Sequence, residues 1–480
     1  MKKKFYLTEL KKLLETRLML RAKENIQVKS LLILAMCLLY ILHNFTHSNI
    51  FDYFLASFTI VVFLSNLKQA EPLPRYFSIC MFMLGFFINV YKGAAIEGTV
   101  KGLLSYLPLL SLIILVPLLT IPMKLGGYLH SIQFFVEKLA YQLRKLFGSI
   151  SILLFCLGPV LNLGTIRILH ELIGSFKLAP EILAKSYLVG FSSVILWSPY
   201  YASVALVLYQ LKVPILHYIP LGFTLAIIQL VTGNLLFWIW LKRRKDSQVI
   251  RPFVTPSEEQ YFDVQQDKSH KRKMLNLAGL FSLIIGMTFL LEFLTKWSML
   301  FLVSLVSITF PVLWAVAKGK WRDFTEQFVI FKNTSVVNMK NEIVLFISAG
   351  LFSKALIGTA AADSIKLFLT HTASISFLLF ILVVAGTILV LTFIGVHQLV
   401  VVSALVTQMD ANMLGTRPEV LALLLMLSWS LSSVLSPINP INLLVSRLLG
   451  KSSLSVGLRW NGVFLLIMLI IGSTFVYLIH

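Results

Sequence analysis

Pro180-Glu181-Ile182-Leu183-Ala184 leads to Ser198-Pro199, and 238 positions later Pro418-Glu419-Val420-Leu421-Ala422 leads, at the same distance, to Ser436-Pro437. Aligned without a gap, 180–207 and 418–445 are identical at nine of 28 positions. Leu and Val matches mean little in an apolar chain; matched Pro-Glu and Ser-Pro pairs mean more. Each Ser-Pro lies inside a long apolar stretch, where the missing N–H and the ring of Pro break a helix. A membrane unit present twice, with a broken helix in each copy, is the sequence sign of a secondary transporter.

The surroundings agree. Of 480 residues, 58% are hydrophobic and 13% charged, and the mean hydropathy is +0.85. That excludes a soluble globular chain and a disordered one. Cys37, Cys80 and Cys156 all lie in apolar stretches, with neither metal-type spacing nor a disulfide framework. Nine scattered His complete no zinc or haem site. No nucleotide-binding loop and no Ser/His/Asp or paired-carboxylate arrangement stands out, so neither direct ATP use nor enzymatic activity is expected. A net charge of +21 on a soluble protein would suggest nucleic acid. Here it reads as topological, and no nucleic-acid partner is expected.

Five segments follow. Residues 1–29 form a basic amphipathic cytoplasmic N-terminus, in which Leu7, Leu10, Leu13, Leu14, Leu18 and Leu20 alternate with Lys and Arg, as a helix on an anionic membrane surface would. Residues 30–50 hold an extra transmembrane helix, 51–241 a first repeat, 242–273 a polar cytoplasmic loop and 274–480 a second repeat. Eleven spans are predicted, each near the ~20 apolar residues a crossing needs. They cover 30–45, 51–67, 76–91, 103–122, 182–210, 215–241, 274–293, 298–317, 342–361, 419–445 and 461–478. Segments 129–147 and 318–341 read as amphipathic and interfacial.

Charge tests that count. With the N-terminus inside, six Lys and Arg fall outside: Lys92, Lys101, Lys212, Lys296, Lys366 and Arg417. Arg167 and Lys354 sit within apolar segments, leaving 34 of the 42 on the cytoplasmic side. So lopsided a split supports an integral protein, expected in a bacterial plasma membrane, with its N-terminus inside and its C-terminus outside. Five crossings per repeat is an odd number, so the repeats are inverted. The leftover apolar stretches 148–173 and 372–408 must each enter and leave by one face, as re-entrant hairpins. The first tip reads Gly158-Pro159-Val160-Leu161-Asn162-Leu163-Gly164-Thr165, and the second Gly395-Val396-His397-Gln398. The expected fold is an all-α membrane protein of about 11 transmembrane helices, in two inverted five-helix repeats, each with a re-entrant hairpin and a broken helix.

This organisation resembles the ion transporter superfamily, and within it the divalent anion:sodium symporter and arsenite-permease-like families. The resemblance covers nearly the whole chain after residue 50. Asn341-Glu342 followed by Gly350-Leu351-Phe352 looks like the family's Glu-to-Gly-Leu-Phe segment. Ser436-Pro437-Ile438-Asn439-Pro440-Ile441-Asn442 is similar to its Pro-Pro-Asn break, and Asn162-Leu163-Gly164-Thr165 sits where it has Ser-Asn-Thr. The second tip departs, with His397 and Gln398, and the first break continues Tyr200-Tyr201 without an Asn. The resemblance implies sodium and substrate carboxylate at the tips and breaks, and an elevator-like movement against a scaffold.

The expected site is one central polar cavity reached by both tips and both breaks. Its residues are Asn162, Gly164, Thr165, Ser198, Pro199, Gly395, His397, Ser436, Pro437, Asn439 and Asn442. Broken helices expose N–H groups for an anion and carbonyls for a cation. Asn439 and Asn442 hold a ligand, bond the carbonyls that Pro437 and Pro440 free, or do both. His397 either carries a proton or is a hydrogen-bonded tip residue. Arg167 either pairs with Glu171 one turn on or contacts an anion; Lys354, with no acid within a turn, snorkels, lines the cavity as an anion contact, or pairs with Glu342 through a bend. The apolar segments hold few acids, chiefly Glu171 and Glu292. The reading is therefore a secondary transporter for a small organic or inorganic anion, coupled to sodium or protons. The alternatives are a non-transporting membrane scaffold and a sodium/proton antiporter. Expected partners are the substrate, the lipid bilayer and, as one assembly, a second copy in a homodimer; no cofactor is expected beyond transient sodium.

Overall fold

The computed structural model describes residues 27–46, 48–139, 142–173, 178–243 and 264–480. The expected amphipathic N-terminus and most of the polar loop lie outside them. The described residues are helical, with no strand among them. Helix α1 is Gln27–Thr46. The first repeat runs α2 (Asn49–Leu67), α3 (Pro72–Tyr91), α4 (Ala95–Leu125), α5 (Leu129–Leu139), α6 (Leu143–Leu161), α7 (Gly164–Ile173), α8 (Pro180–Ile195), α9 (Ala202–Leu211) and α10 (Ile215–Arg243). The second runs α11 (Val264–Thr295), α12 (Met299–Ala317), α13 (Trp321–Val336), α14 (Lys340–Leu356), α15 (Ala360–Ile375), α16 (Phe377–Phe393), α17 (Gln398–Val406), α18 (Pro418–Leu435), α19 (Pro440–Leu449) and α20 (Ser455–Leu478).

Ten helices among the described residues are long and apolar enough to cross a membrane, or eleven with the pair α13 and α14, which meet at a 61° bend. The total matches the expected number, but the membership differs. By length α6 qualifies, although it is the first arm of the first hairpin, whereas α8 and α9 are each too short alone. The bent pair joins the predicted interfacial segment 318–341 to the span after it. Element ends also move. Residues 143–147, read as interfacial, begin the hairpin arm α6, and α15 is a separate helix where 372–376 was read as part of the second hairpin.

Both hairpins form as expected. Helix α6 continues through Pro159 to Leu161 before the chain turns, and α16 and α17 are separated by the turn around Gly395. The packing sorts the helices into two bodies. A core holds α6–α10 and α16–α20; a frame holds α2–α4 and α11–α14. In the frame α14 packs against α2, α3 and α4. Gly102 and Gly350 let it come close: a Cβ at Gly102 would stand 2.9 Å from Leu351 Cα. Small residues at such a crossing let backbones meet where no hydrophobic force drives helices together. The bodies touch mainly through α4 with α6 and α9 and through α14 with α17; Tyr200, at the break between α8 and α9, also bonds Thr288 of α11, and α5 packs on α6, α7 and α11.

Within the core the contacts are reciprocal. Helix α8 packs on α6, α10, α18, α19 and α20; α18 packs on α16, α20, α8, α9 and α10. The cross-pairs α8 with α19 and α9 with α18 are those of two broken helices running antiparallel. Where they cross, Ser430 Oγ donates to Ser192 O at 2.9 Å. Ser192 and Ser430 are matched positions, 238 residues apart, so their contact marks a local two-fold relation between the units. Gln229 of α10 donates to both hydroxyls, at 2.8 and 3.0 Å. All three side chains are buried, so the polar groups satisfy one another.

Candidate functional site

Each hairpin tip meets the break of its own repeat, by different chemistry in the two halves. In the first, Asn162 turns the chain at φ 50°. Its Oδ1 accepts from Leu163 N at 2.8 Å, and its carbonyl from Thr165 N at 3.0 Å. Gly164 opens α7. Thr165 is fully buried, and its Oγ1 has no hydrogen-bond partner. The tip reaches the break through Tyr201, whose hydroxyl donates to Gly158 O at 3.2 Å. At the break itself Ser198 and Pro199 are buried. Tyr218 OH donates to Leu196 O at 2.6 Å, taking a carbonyl that the broken helix strands. Tyr200 OH shares a hydrogen bond with Thr288 Oγ1 at 3.1 Å. Tyrosines thus fill the first break.

The second half uses amides and hydroxyls. Gly395 turns at φ 114°. His397 caps α17, its Nδ1 accepting from Leu399 N at 3.2 Å. Gln398 Nε2 donates to Trp429 O at 2.6 Å and to the Ser432 hydroxyl, and its Oε1 accepts from Ser433 Oγ at 3.3 Å. The same Oε1 accepts from Asn439 Nδ2 at 2.8 Å. Ser436, beside the half-buried Pro437, donates to Thr392 O at 2.7 Å. Asn439 Oδ1 caps the start of α19 by accepting from Ile441 N at 3.0 Å. Asn442 Nδ2 donates to Val434 O and Ser436 O at 3.0 and 3.2 Å. Asn442 Nδ2 thus serves the carbonyls freed at the break.

Two expectations need correction. Arg167 and Glu171 are both exposed, and among the ion pairs of the described residues there is none between them. And the two cavities that stand out are not lined by Ser198, Ser436 or Asn439. Those side chains are spent on their own backbone and on the tips. The antiparallel crossing also separates the breaks: each lies six residues beyond the Ser192–Ser430 contact, on its own side, which is about 9 Å of helix.

The cavities lie elsewhere, at the seam between frame and core. The inner one, about 250 Å³, is walled by Ser105 and Tyr106 of α4, Ser353 and Lys354 of α14, Tyr209 and Gln210 of α9, and by Lys212, Ile357 and Thr407. A neighbouring one of about 410 Å³ shares Ser105, Tyr209 and Lys354, and extends to His43 and Asn44 of α1 and Asp52 of α2, with Lys101 on its wall. Tyr106 OH donates to Ser353 Oγ at 3.3 Å and faces Ser403 and Gln210 across the seam. Of the predicted residues only Lys354 is here. Sequence reasoning missed Tyr106, Tyr209 and Lys212; the one signal was that Lys212 is a lysine with no acid near it in the chain. Among the described residues no three His, Cys, Asp or Glu converge as metal ligands.

No protein-family model and no curated protein matches the chain. Among solved structures it is similar to the YdaH transporter of Alcanivorax borkumensis, with 12% identity and a TM-score of 0.45, over 85% of this chain and 99% of that one.

Proposed function

We propose that the protein is a secondary active transporter that moves a small organic or inorganic anion by alternating access, coupled to sodium or protons. One observation carries the reading: two broken helices, each bonded to a re-entrant hairpin, cross in a core that touches a separate frame through few helices. Broken helices and non-helical tips are tolerated at membrane depth only inside protein or against a cavity. A core that slides against the frame would change which side the seam opens to. The scarcity of acids in the apolar segments and the lysines at the seam favour an anion over a cation.

A second reading has its own support. Both breaks are satisfied by the chain's own side chains, as a non-transporting scaffold with this fold would need. Reconstitution decides between them. Purified protein in liposomes is expected to accumulate at least one labelled carboxylate or oxyanion when a sodium or proton gradient is imposed. The same anion is expected to raise its Tm in detergent, since a ligand that binds only the native state stabilises it. Uptake no greater than in protein-free liposomes across the panel, with no Tm response, would move the scaffold reading ahead.

A further inference from the structure

We infer that the seam cavity is an anion-binding site in its own right, with Lys354 of the frame and Lys212 of the core as its two cationic ligands. It lies apart from the tips and breaks. Its purpose rests on the transport reading; its chemistry does not.

The argument begins with charge. A lysine within an apolar helix is unfavourable and marks a functional site by default. Lys354 lies in the last turn of α14, where a cation could simply serve the helix end. That role is already filled: Lys92 Nζ donates to Ala355 O at 2.6 Å and to Ile357 O. Lys212 stands at the left-handed C-cap of α9, with φ 53°. There too the terminal carbonyls are taken by backbone N–H groups, Val213 N on Leu208 O and Lys212 N on Tyr209 O. Neither ammonium has a hydrogen bond or ion pair among the described residues, both are exposed, and both line the same cavity of about 250 Å³.

No carboxylate lines that cavity. In the adjoining one Asp52 is bound to His43 at 2.5 Å, and Lys101 is paired with Glu97. Two ammoniums with no carboxylate between them line one small space, and an oxyanion there would be held by both. Tyr209, and Gln210 beside the Tyr106 hydroxyl, supply further donors. The volume sits at the lower edge of the ~300–1,000 Å³ of small-molecule sites. The ligand class is therefore a compact oxyanion, carboxylate or inorganic. Because one lysine belongs to each body, a bound anion bridges frame and core.

The test uses the full-length protein in detergent at constant ionic strength. Sodium acetate, succinate, sulfate and phosphate are compared with sodium chloride, and Tm is read against concentration. At least one oxyanion is expected to raise Tm beyond chloride. Lys354→Gln and Lys212→Gln are each expected to weaken that response roughly tenfold in concentration, the loss of one charge-assisted contact. Without oxyanion, the Tm of either variant is expected to equal that of the parent, because neither ammonium has a hydrogen bond or ion pair among the described residues to lose. Lys296→Gln, on the same expected face but outside the cavity, keeps the response. A response undiminished in both cavity variants, or no oxyanion exceeding chloride, would overturn the site. Should a variant not fold, Thr407→Cys in the native-lysine background reads the cavity directly: the oxyanion slows its reaction with an impermeant thiol reagent, and an unchanged rate would count against the site. If oxyanions cross liposomes but do not bind here, the site falls and transport stands. If they bind here and none crosses, transport falls and the site stands.

Discussion

Leu196 and Val434 hold matched positions, 238 residues apart, at the two breaks. Each carbonyl comes within bonding distance of a side chain: Tyr218 OH at 2.6 Å for one, Asn442 Nδ2 at 3.0 Å for the other. Each also presses on a glycine of the span that follows. A Cβ at Gly222 would stand 2.7 Å from Leu196 O, and one at Gly457 2.6 Å from Val434 O. Gly457→Ala therefore pushes into backbone that cannot swing aside. It is expected to destabilise by about 1–3 kcal/mol, as overpacking does. The control is Gly462→Ala, whose Cβ meets nothing nearer than 3.8 Å and which should be neutral or slightly stabilising. Paired Tm measurements check this; equal values for the two variants would contradict so tight a break. Tyr218→Phe should cost a comparable ~1–3 kcal/mol by leaving Leu196 O buried without a partner. At this scale the sequence was half legible. The Pro residues announce that carbonyls are freed, and Asn442, three residues from Asn439, was a visible candidate to receive them. Tyr218 was not, because its partner lies 22 residues away in a different helix.

Between elements, the hairpins attach to the breaks unequally. The first tip holds its break through one tyrosine hydroxyl on Gly158 O. The second is tied by Gln398 to Trp429 O, Ser432, Ser433 and Asn439. Interhelical hydrogen bonds in membranes average about 0.6 kcal/mol each, so four converging on one side chain amount to a few kcal/mol at most. That is enough to hold a hairpin and small enough to release it. Gln398→Leu is expected to speed amide exchange across 394–408 by an order of magnitude or more while leaving 158–165 unchanged. Equal protection in the variant would mean that apolar packing, not Gln398, fixes the hairpin. Breaks and tips were readable because Gly and Pro interrupt long apolar runs, and because Gly158 and Gly395 precede Ser198 and Ser436 by nearly the same offset. The asymmetry between them was hidden. A repeat pattern shows where two units correspond, not that one is filled by Tyr200, Tyr201 and Tyr218 and the other by amides. The seam cavity was hidden for a related reason: its walls come from α4, α9, α14 and the end of α17, and no local pattern joins them.

Across the whole molecule, orientation reduces to a single choice. Long-range contacts at the helix ends tie the loops into two sets. Glu71 N donates to Asn341 Oδ1, Lys320 to Leu125 O, Lys185 to Trp460 O, and His270 meets Ser131. At the other end Lys92 donates to Ala355 O, Arg417 to Ile479 O, and His217 lies 3.6 Å from Glu419. Every one of these pairs joins residues that the charge count assigns to the same face. Fixing the face of one of these loops therefore fixes those tied to it, and the positive-inside rule predicts the sign: the set with Lys92 and Arg417 is expected outside. Gln69 and Asn412 are exposed representatives of the two sets. In intact cells Asn412→Cys is expected to react with an impermeant thiol reagent, and Gln69→Cys only after the membrane is opened. The parent is the blank, because Cys37 is buried and Cys80 and Cys156 sit on spans within apolar stretches. The reverse pattern would invert the molecule and place the lysine cavity on the cytoplasmic side. Reaction at both sites in sealed cells would break the link between the loop sets, and with it the odd number of crossings on which inversion of the two repeats depends.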